Sequence, residues 1–184
     1  MATTEVEVYL RNDEAIVHLK EDADVLLQSG YGTIREDKSV ILSHCEVLYL
    51  LSEKRIKVVE GAESIEVSFK SLLDRFKIED PDIWTRYVIF LDLRSRGYVV
   101  KEGVGEGIDF RVYERGMYHI KAAKYIVFAV CEGSPIPASK LCDVLQMVQG
   151  MKRELIVAVV DRRGEIVYYS ISWLNLGLRS NGSE

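Results

Sequence analysis

The stretch from Leu155 to Leu174 limits the folds open to this chain more than any other. Leu155 to Val160 is an apolar, β-branched run, Asp161-Arg162-Arg163-Gly164 is a turn, and Glu165 to Trp173 is a second run. Two such runs around a short polar connection containing glycine form a β-hairpin. The second run, Ile166-Val167-Tyr168-Tyr169-Ser170-Ile171-Ser172-Trp173-Leu174, is apolar or aromatic on both faces. Such a strand either lies in the middle of a sheet, covered on both sides, or is a terminal edge that another chain must cover. Both arrangements need a sizeable core, and 184 residues of which 48% are apolar can build one.

Upstream, the first half reads as a compact α+β unit. Val6 to Leu10 and Ala15 to Leu19 alternate as strands around Asn12-Asp13, and a short helical piece, Ala23 to Gln28, stops at Gly30. Ser43 with Glu46 three residues on is a capping box, followed by Val47, Leu48, Leu50 and Leu51. Strands at Ile56 to Val59 and Ile65 to Val67 and a helix from Phe69 to Phe76 complete the unit. Pro81 holds Asp80 in extended geometry, which places a boundary after residue 80. Beyond it, Asp82 is expected to cap a helix over Ile83 to Arg96, stopped by Gly97, and Tyr98 to Lys101 to form a strand. Gly103, Gly105 and Gly107 make a loop, since no amphipathic helix follows to hold a pyrophosphate. Strands follow at Ile108 to Glu114 and Tyr125 to Cys131. Pro137 then opens a helix whose Leu141, Val144, Leu145 and Val148 share one face, ending at Gly150.

Charge divides along the same line. The chain carries a net charge of −5, with 10 Lys/Arg against 17 Asp/Glu in residues 1 to 80 and 14 against 12 in residues 81 to 184. Phosphate contacts are therefore expected in the second half, and weak binding of nucleic acid by the chain alone. No apolar run approaches the roughly 18 to 20 residues that span a bilayer. The opening Met-Ala-Thr-Thr-Glu lacks the regions of a secretory signal, so a cytoplasmic location is expected. Cys45, Cys131 and Cys142, scattered and odd in number, read as buried small side chains rather than a metal site. Trp84 and Trp173 read as packing anchors rather than base-stacking platforms.

Chemistry has one natural place. Tyr113 ends a strand, a polar connection follows, and the strand Tyr125 to Cys131 returns past it. A tyrosine hydroxyl there can take a proton from a substrate hydroxyl if an acid for the leaving oxygen and a cation for the phosphate stand nearby. Lys152 is the candidate cation. For the acid the connection offers only His119, and the turn into the next strand reads Ala122-Ala123.

Several separated motifs together resemble a known family. Gly107-Ile108-Asp109-Phe110-Arg111-Val112-Tyr113, Lys124-Tyr125-Ile126-Val127 and Leu155 to Tyr169 are similar to the catalytic domain of the tRNA-splicing endonuclease (tRNA-intron lyase) family. Tyr31-Gly32-Thr33, Leu42-Ser43 and Glu46 to Leu51 are similar to the amino-terminal domain of its archaeal type. The fold this implies is an α+β amino-terminal domain over residues 1–80, then an α/β carboxy-terminal domain with a mixed sheet over residues 81–184. The activity it implies is cleavage of precursor tRNA at bulge-helix-bulge intron boundaries without metal or cofactor, leaving 2′,3′-cyclic phosphate and 5′-hydroxyl ends.

The family's catalytic set is a tyrosine, a histidine and a lysine. Tyr113 falls on the first position, as general base, and Lys152, or Arg153 with a shift of one, on the last. The histidine position falls on Ala122, and a methyl group donates no proton. Some family members pair a catalytic chain with a structural one in an α2β2 heterotetramer, and this chain resembles the structural one. The resemblance then implies two contacts with a homologous catalytic subunit. One is the terminal strand, with Ile166, Tyr168, Tyr169, Ile171 and Trp173; the other is the turn bearing Asp161 and Glu165, inserted into a basic cleft. Two alternatives stay open: a self-sufficient nuclease using Tyr113, His119 and Lys152, and a binding module that has kept only the fold.

Overall fold

Two β-sheets, one from each half of the chain, organise the computed structural model, which describes residues 5–18 and 20–174. The first half runs β1 (Val6–Arg11), β2 (Glu14–Val17), α1 (Lys20–Gln28), β3 (Thr33–Ile34), β4 (Val40–Leu42), α2 (His44–Ser52), β5 (Ile56–Glu60), β6 (Ile65–Glu66) and α3 (Phe69–Glu79). The second runs α4 (Ile83–Ser95), β7 (Val99–Glu102), β8 (Phe110–Tyr113), β9 (Tyr125–Cys131), α5 (Ala138–Gly150), β10 (Glu154–Val160) and β11 (Ile166–Ile171). The sheets are ordered β3-β4-β2-β1-β5-β6 and β11-β10-β9-β8-β7. Both are mixed, with β1 parallel to β5 and β9 parallel to β10 among antiparallel neighbours. The expected fold class, α+β followed by α/β with a mixed sheet, is the observed one.

Local signals account for most element ends. Asn12 and Asp13 turn β1 into β2 at φ 49° and 60°, the left-handed geometry these residue types tolerate. Leu19, the last residue of the expected second strand, lies outside the described residues. Ser43 and Glu46 form the full reciprocal capping box at the start of α2. Gly97 ends α4 at φ 87°. Asp82, however, makes no cap through its side chain. Asp80 instead forms a turn just before the helix, its Oδ1 accepting the Asp82 N–H at 3.1 Å and its carbonyl the Ile83 N–H at 3.0 Å. The short strands β3 and β4 carry too little periodicity to be read from sequence.

α4 is the hinge of the packing. It covers one face of the second sheet and lies against α2 and α3 of the first half. One buried cluster therefore runs through both halves, from Val8, Leu48 and Phe76 to Phe90, Phe110, Val127 and Ala158. A second cluster joins α5 to the other face through Ile126, Phe128, Val144, Val148 and Leu155. Division of the chain at residue 80 is thus a proposal that separates the sheets but not the core. Polar contacts cross the same seam. Lys101 Nζ donates to Glu46 Oε1 at 2.8 Å and to the Gly32 carbonyl at 2.7 Å. Arg94 donates to the Tyr31 hydroxyl at 3.1 Å and the Ser29 carbonyl at 3.0 Å. Gly30, at φ 79°, sits where a Cβ would come within 2.7 Å of Val99, so the seam leaves that position to glycine.

The hairpin that constrained the fold is β10–β11, and β11 is an edge. A central position for this apolar run is ruled out. Ile166 and Tyr168 pack on the shared core and Ile171 on the second cluster, while Val167 and Tyr169 remain 50% and 52% exposed. Pairing stops at Ile171, leaving Trp173 outside the strand and 56% exposed. Trp84 is 47% exposed as well, so neither tryptophan is a buried anchor. Of the cysteines only Cys45 is buried; Cys131 and Cys142 are exposed, since they occupy the end of an alternating strand and the polar face of a helix. Among the described residues no helix is long and apolar enough to cross a membrane.

Candidate functional site

The end of β8 and the starts of β9 and β10 meet at one end of the second sheet. Lys124 N–H donates to the Val112 carbonyl at 3.0 Å, and Glu154 N–H to the Lys124 carbonyl at 3.2 Å. Tyr113 and the Lys152-Arg153 pair therefore stand two strand spacings apart, about 10 Å, with the start of β9 between them.

Two neighbouring cavities open at this end. The first, about 310 Å3, is lined by Ala122 and Lys152 together, with Lys121, Lys124 and Arg153. Glu114 and Glu154 also face it. Ala122, the residue expected at the acid's position, and Lys152 thus line one hollow. Lys124 is tied to Glu114 at 2.7 Å, and that bond, followed by one with Tyr125, raises its pKa. Lys121, Lys152 and Arg153 enter no ion pair among the described residues. Lys152 follows α5 at φ 56°, its N–H donating to the Gln149 carbonyl at 2.8 Å.

The second cavity, about 200 Å3, takes Tyr113, with Tyr118, Arg111, Lys101, Glu46 and Glu102. The Tyr113 and Tyr118 rings meet edge to face at 5.0 Å. Burial, then Tyr113 and Glu46, push the Tyr118 hydroxyl pKa up. Lys101 Nζ lies 5.6 Å from the Tyr118 ring, so the buried ion pair of the seam forms the floor under this aromatic pair. His119 is exposed, lines neither cavity, and meets the Tyr118 ring at 4.3 Å. The structure thus brings Lys152 to Ala122, places Tyr113 next door, and leaves His119 outside.

Sequence reasoning missed Lys121, Lys124 and the Glu46–Lys101 floor. The excess of cations in the second half was a general signal for the first two. Nothing local links Glu46 to Lys101.

At the other end of the hairpin, Asp161 Oδ1 accepts the Arg163 and Glu165 N–H groups, both at 2.8 Å. Those bonds, the Glu165 one first, hold its carboxyl below the ordinary range. The Asp161 carboxylate is engaged by its own turn, while the Glu165 side chain is exposed. On β11, the Tyr168 hydroxyl donates to Asp92 at 2.7 Å, which anchors that ring inside the chain. Tyr169 and Trp173 are left presenting aromatic surface. A larger hollow of about 970 Å3 lies in the first half among α1, β2 and β4, and none of the candidate residues faces it.

Known proteins bear on this geometry. The family model described as tRNA intron endonuclease, N-terminal domain, matches residues 6–73, and that described as tRNA intron endonuclease, catalytic C-terminal domain, matches residues 83–168. A protein named tRNA-splicing endonuclease from Pyrococcus furiosus is 32% identical over 92% of this chain and 97% of its own length. Proteins of the same name from Methanococcus maripaludis and Thermococcus onnurineus are 32% and 30% identical, over 91% and 92% of this chain and 93% and 96% of their own.

Proposed function

We propose, proceeding from the fact that this chain belongs to the tRNA intron endonuclease family, that it is the structural subunit of a tRNA-splicing endonuclease. It orders a homologous catalytic chain in an α2β2 heterotetramer that cleaves precursor tRNA at bulge-helix-bulge intron boundaries without metal. The products are 2′,3′-cyclic phosphate and 5′-hydroxyl ends. One observation carries the reading: Ala122, the residue aligned with the family's acid, shares its cavity with Lys152, and no imidazole lines that cavity. A positioned general acid contributes about 10² to 10⁴ in rate, so its loss leaves the frame of the site without its turnover. Tyr113 and Lys152 keep the family positions as remnants, and the exposed face of β11 supplies a surface for the partner.

The test uses a bulge-helix-bulge RNA in the presence of EDTA. The purified chain is expected to leave it intact, and the chain coexpressed with a histidine-containing homologue to cleave it. Cleavage by the chain alone overturns the proposal. A second reading, self-sufficient cleavage by Tyr113, His119 and Lys152, draws on the aromatic contact from His119 through Tyr118 to Tyr113. His119→Ala separates the two, being silent in the reconstituted complex under the first reading and abolishing activity under the second.

A further inference from the structure

We infer that the hollow of about 970 Å3 in the first half, among α1, β2 and β4, is a docking site for an extended, acidic segment of a protein other than the homologous subunit. The inference goes beyond the reading of this chain as a structural subunit, because none of the residues proposed for the cleavage site or for the partner strand lines this hollow.

The hollow has an apolar floor and a cationic rim. Ile16, Ala23, Leu27 and Val40 make up the floor, and Arg11, Lys20 and Lys38 stand exposed around it. The three cations come from the end of β1, the start of α1 and the turn between β3 and β4, so only the fold gathers them. None of them enters an ion pair among the described residues. Of the carboxylates lining the same space, Glu14 is bonded to Arg35, and Asp37 accepts the Ser39 N–H at 2.9 Å and its hydroxyl at 2.6 Å, which leaves Asp24 alone against them. Unpaired cations around an apolar floor suit an occupant that turns apolar side chains inward and carboxylates outward. The strand β3 gives that occupant its conformation. It is the outermost strand of the first sheet, both its residues are exposed, and Ile34, 61% exposed, lines the hollow. Such an edge pairs with an extended segment through the main chain, and alternate side chains of the segment then share one side. RNA fits less well. Residues 1 to 80 carry 10 Lys/Arg against 17 Asp/Glu, so a polyanion longer than the hollow meets net negative charge beyond the rim, while a segment of a few residues meets the rim alone. An apolar floor also desolvates a phosphate without a bond in return. The homologous subunit has its proposed surface on β11, in the other sheet, which leaves this face to another protein.

The full chain is presented with a random-peptide library displayed on phage, and the most enriched peptide is synthesised with a fluorescent label. Enriched sequences are expected to alternate apolar residues with Asp or Glu. By fluorescence anisotropy the affinity of the labelled peptide is expected to fall about ten-fold or more when Lys20→Glu and Lys38→Glu are combined, and to weaken with salt. Ile34→Ser, on an exposed position that the core does not need, is expected to weaken binding as well, and Lys70→Glu on exposed α3 to leave it unchanged. A library that yields no binder, binders without acidic residues, or binding that survives the double charge reversal each overturn the inference. Displacement of the peptide by a labelled single-stranded RNA marks a polyanion site and also overturns it. The complex with a histidine-containing homologue is expected to bind the peptide as tightly as the free chain does. Loss of binding on assembly assigns the hollow to the homologous subunit, with the same consequence. If no complex forms, the reading of the chain as a structural subunit fails on its own, and the peptide and RNA measurements on the free chain decide the hollow.

Discussion

Glu46 does two things that no local pattern joins. Its Oε2 accepts the Ser43 and Gly32 N–H groups at 3.0 and 3.1 Å, and its Oε1 takes the Lys101 ammonium at 2.8 Å. Both side chains are buried, so removing one partner leaves a charge in a dry site. Lys101→Met is therefore expected to cost about 3 to 5 kcal/mol in urea unfolding, and the double change Lys101→Met with Glu46→Gln appreciably less. Asp109, like Glu102, is a carboxyl whose protonation the fold biases upward. Burial raises its pKa, and the Ala129 N–H and the Arg86 guanidinium pull back only in part. A carboxyl whose folded pKa exceeds its unfolded one adds stability below the unfolded value, about 3.9, and loses it as pH rises through the folded value. Asp109→Asn removes that titration. Urea midpoints from pH 4 upward are expected to move in the variant's favour, relative to wild type, as the pH rises; a constant difference would contradict the assignment.

Among the elements, β11 matters most for what the chain can join. One face is committed inward through Ile166 and through Tyr168 bonded to Asp92, and the other face of this edge strand carries half-exposed Val167 and Tyr169. An unprotected edge of this composition invites pairing with another chain. Tyr169→Lys adds charge to that face without touching the core. The isolated variant is expected to unfold within about 0.5 kcal/mol of wild type. On coexpression with a catalytic homologue it is expected to elute as separate subunits rather than as a heterotetramer. Normal assembly of Tyr169→Lys would remove this face from the interface.

At the scale of the whole molecule, the two sheets share one core through α4, and the seam is closed further by Lys101–Glu46, Arg94–Tyr31 and Arg86 with Asp80 and Asp109. Neither half can expose its side of that cluster cheaply. Unfolding is expected to be one transition, with far-UV circular dichroism and tryptophan fluorescence coincident in urea. Separate transitions would show that the halves are independent domains despite the shared cluster.

What the sequence determined by itself was most of what depends on near neighbours. The β10–β11 hairpin, the Ser43–Glu46 cap, the turn at Asn12-Asp13, the stop at Gly97 and the apolar stripe of α5 follow from turn chemistry, capping and periodicity, each a matter of a few consecutive residues. The motifs in their order carried the family. The tertiary structure decided what depends on distant partners. It made β11 an edge, left α4 without a side-chain cap from Asp82, left Cys131, Cys142 and Trp84 exposed, and put Lys101 under Glu46. It also gathered Lys121, Ala122, Lys152 and Arg153 around one hollow and kept His119 out of it. The reason is the same in every case: burial, pairing across a seam and convergence on a cavity are set by which surfaces meet, and segments far apart in the chain meet only when it has folded.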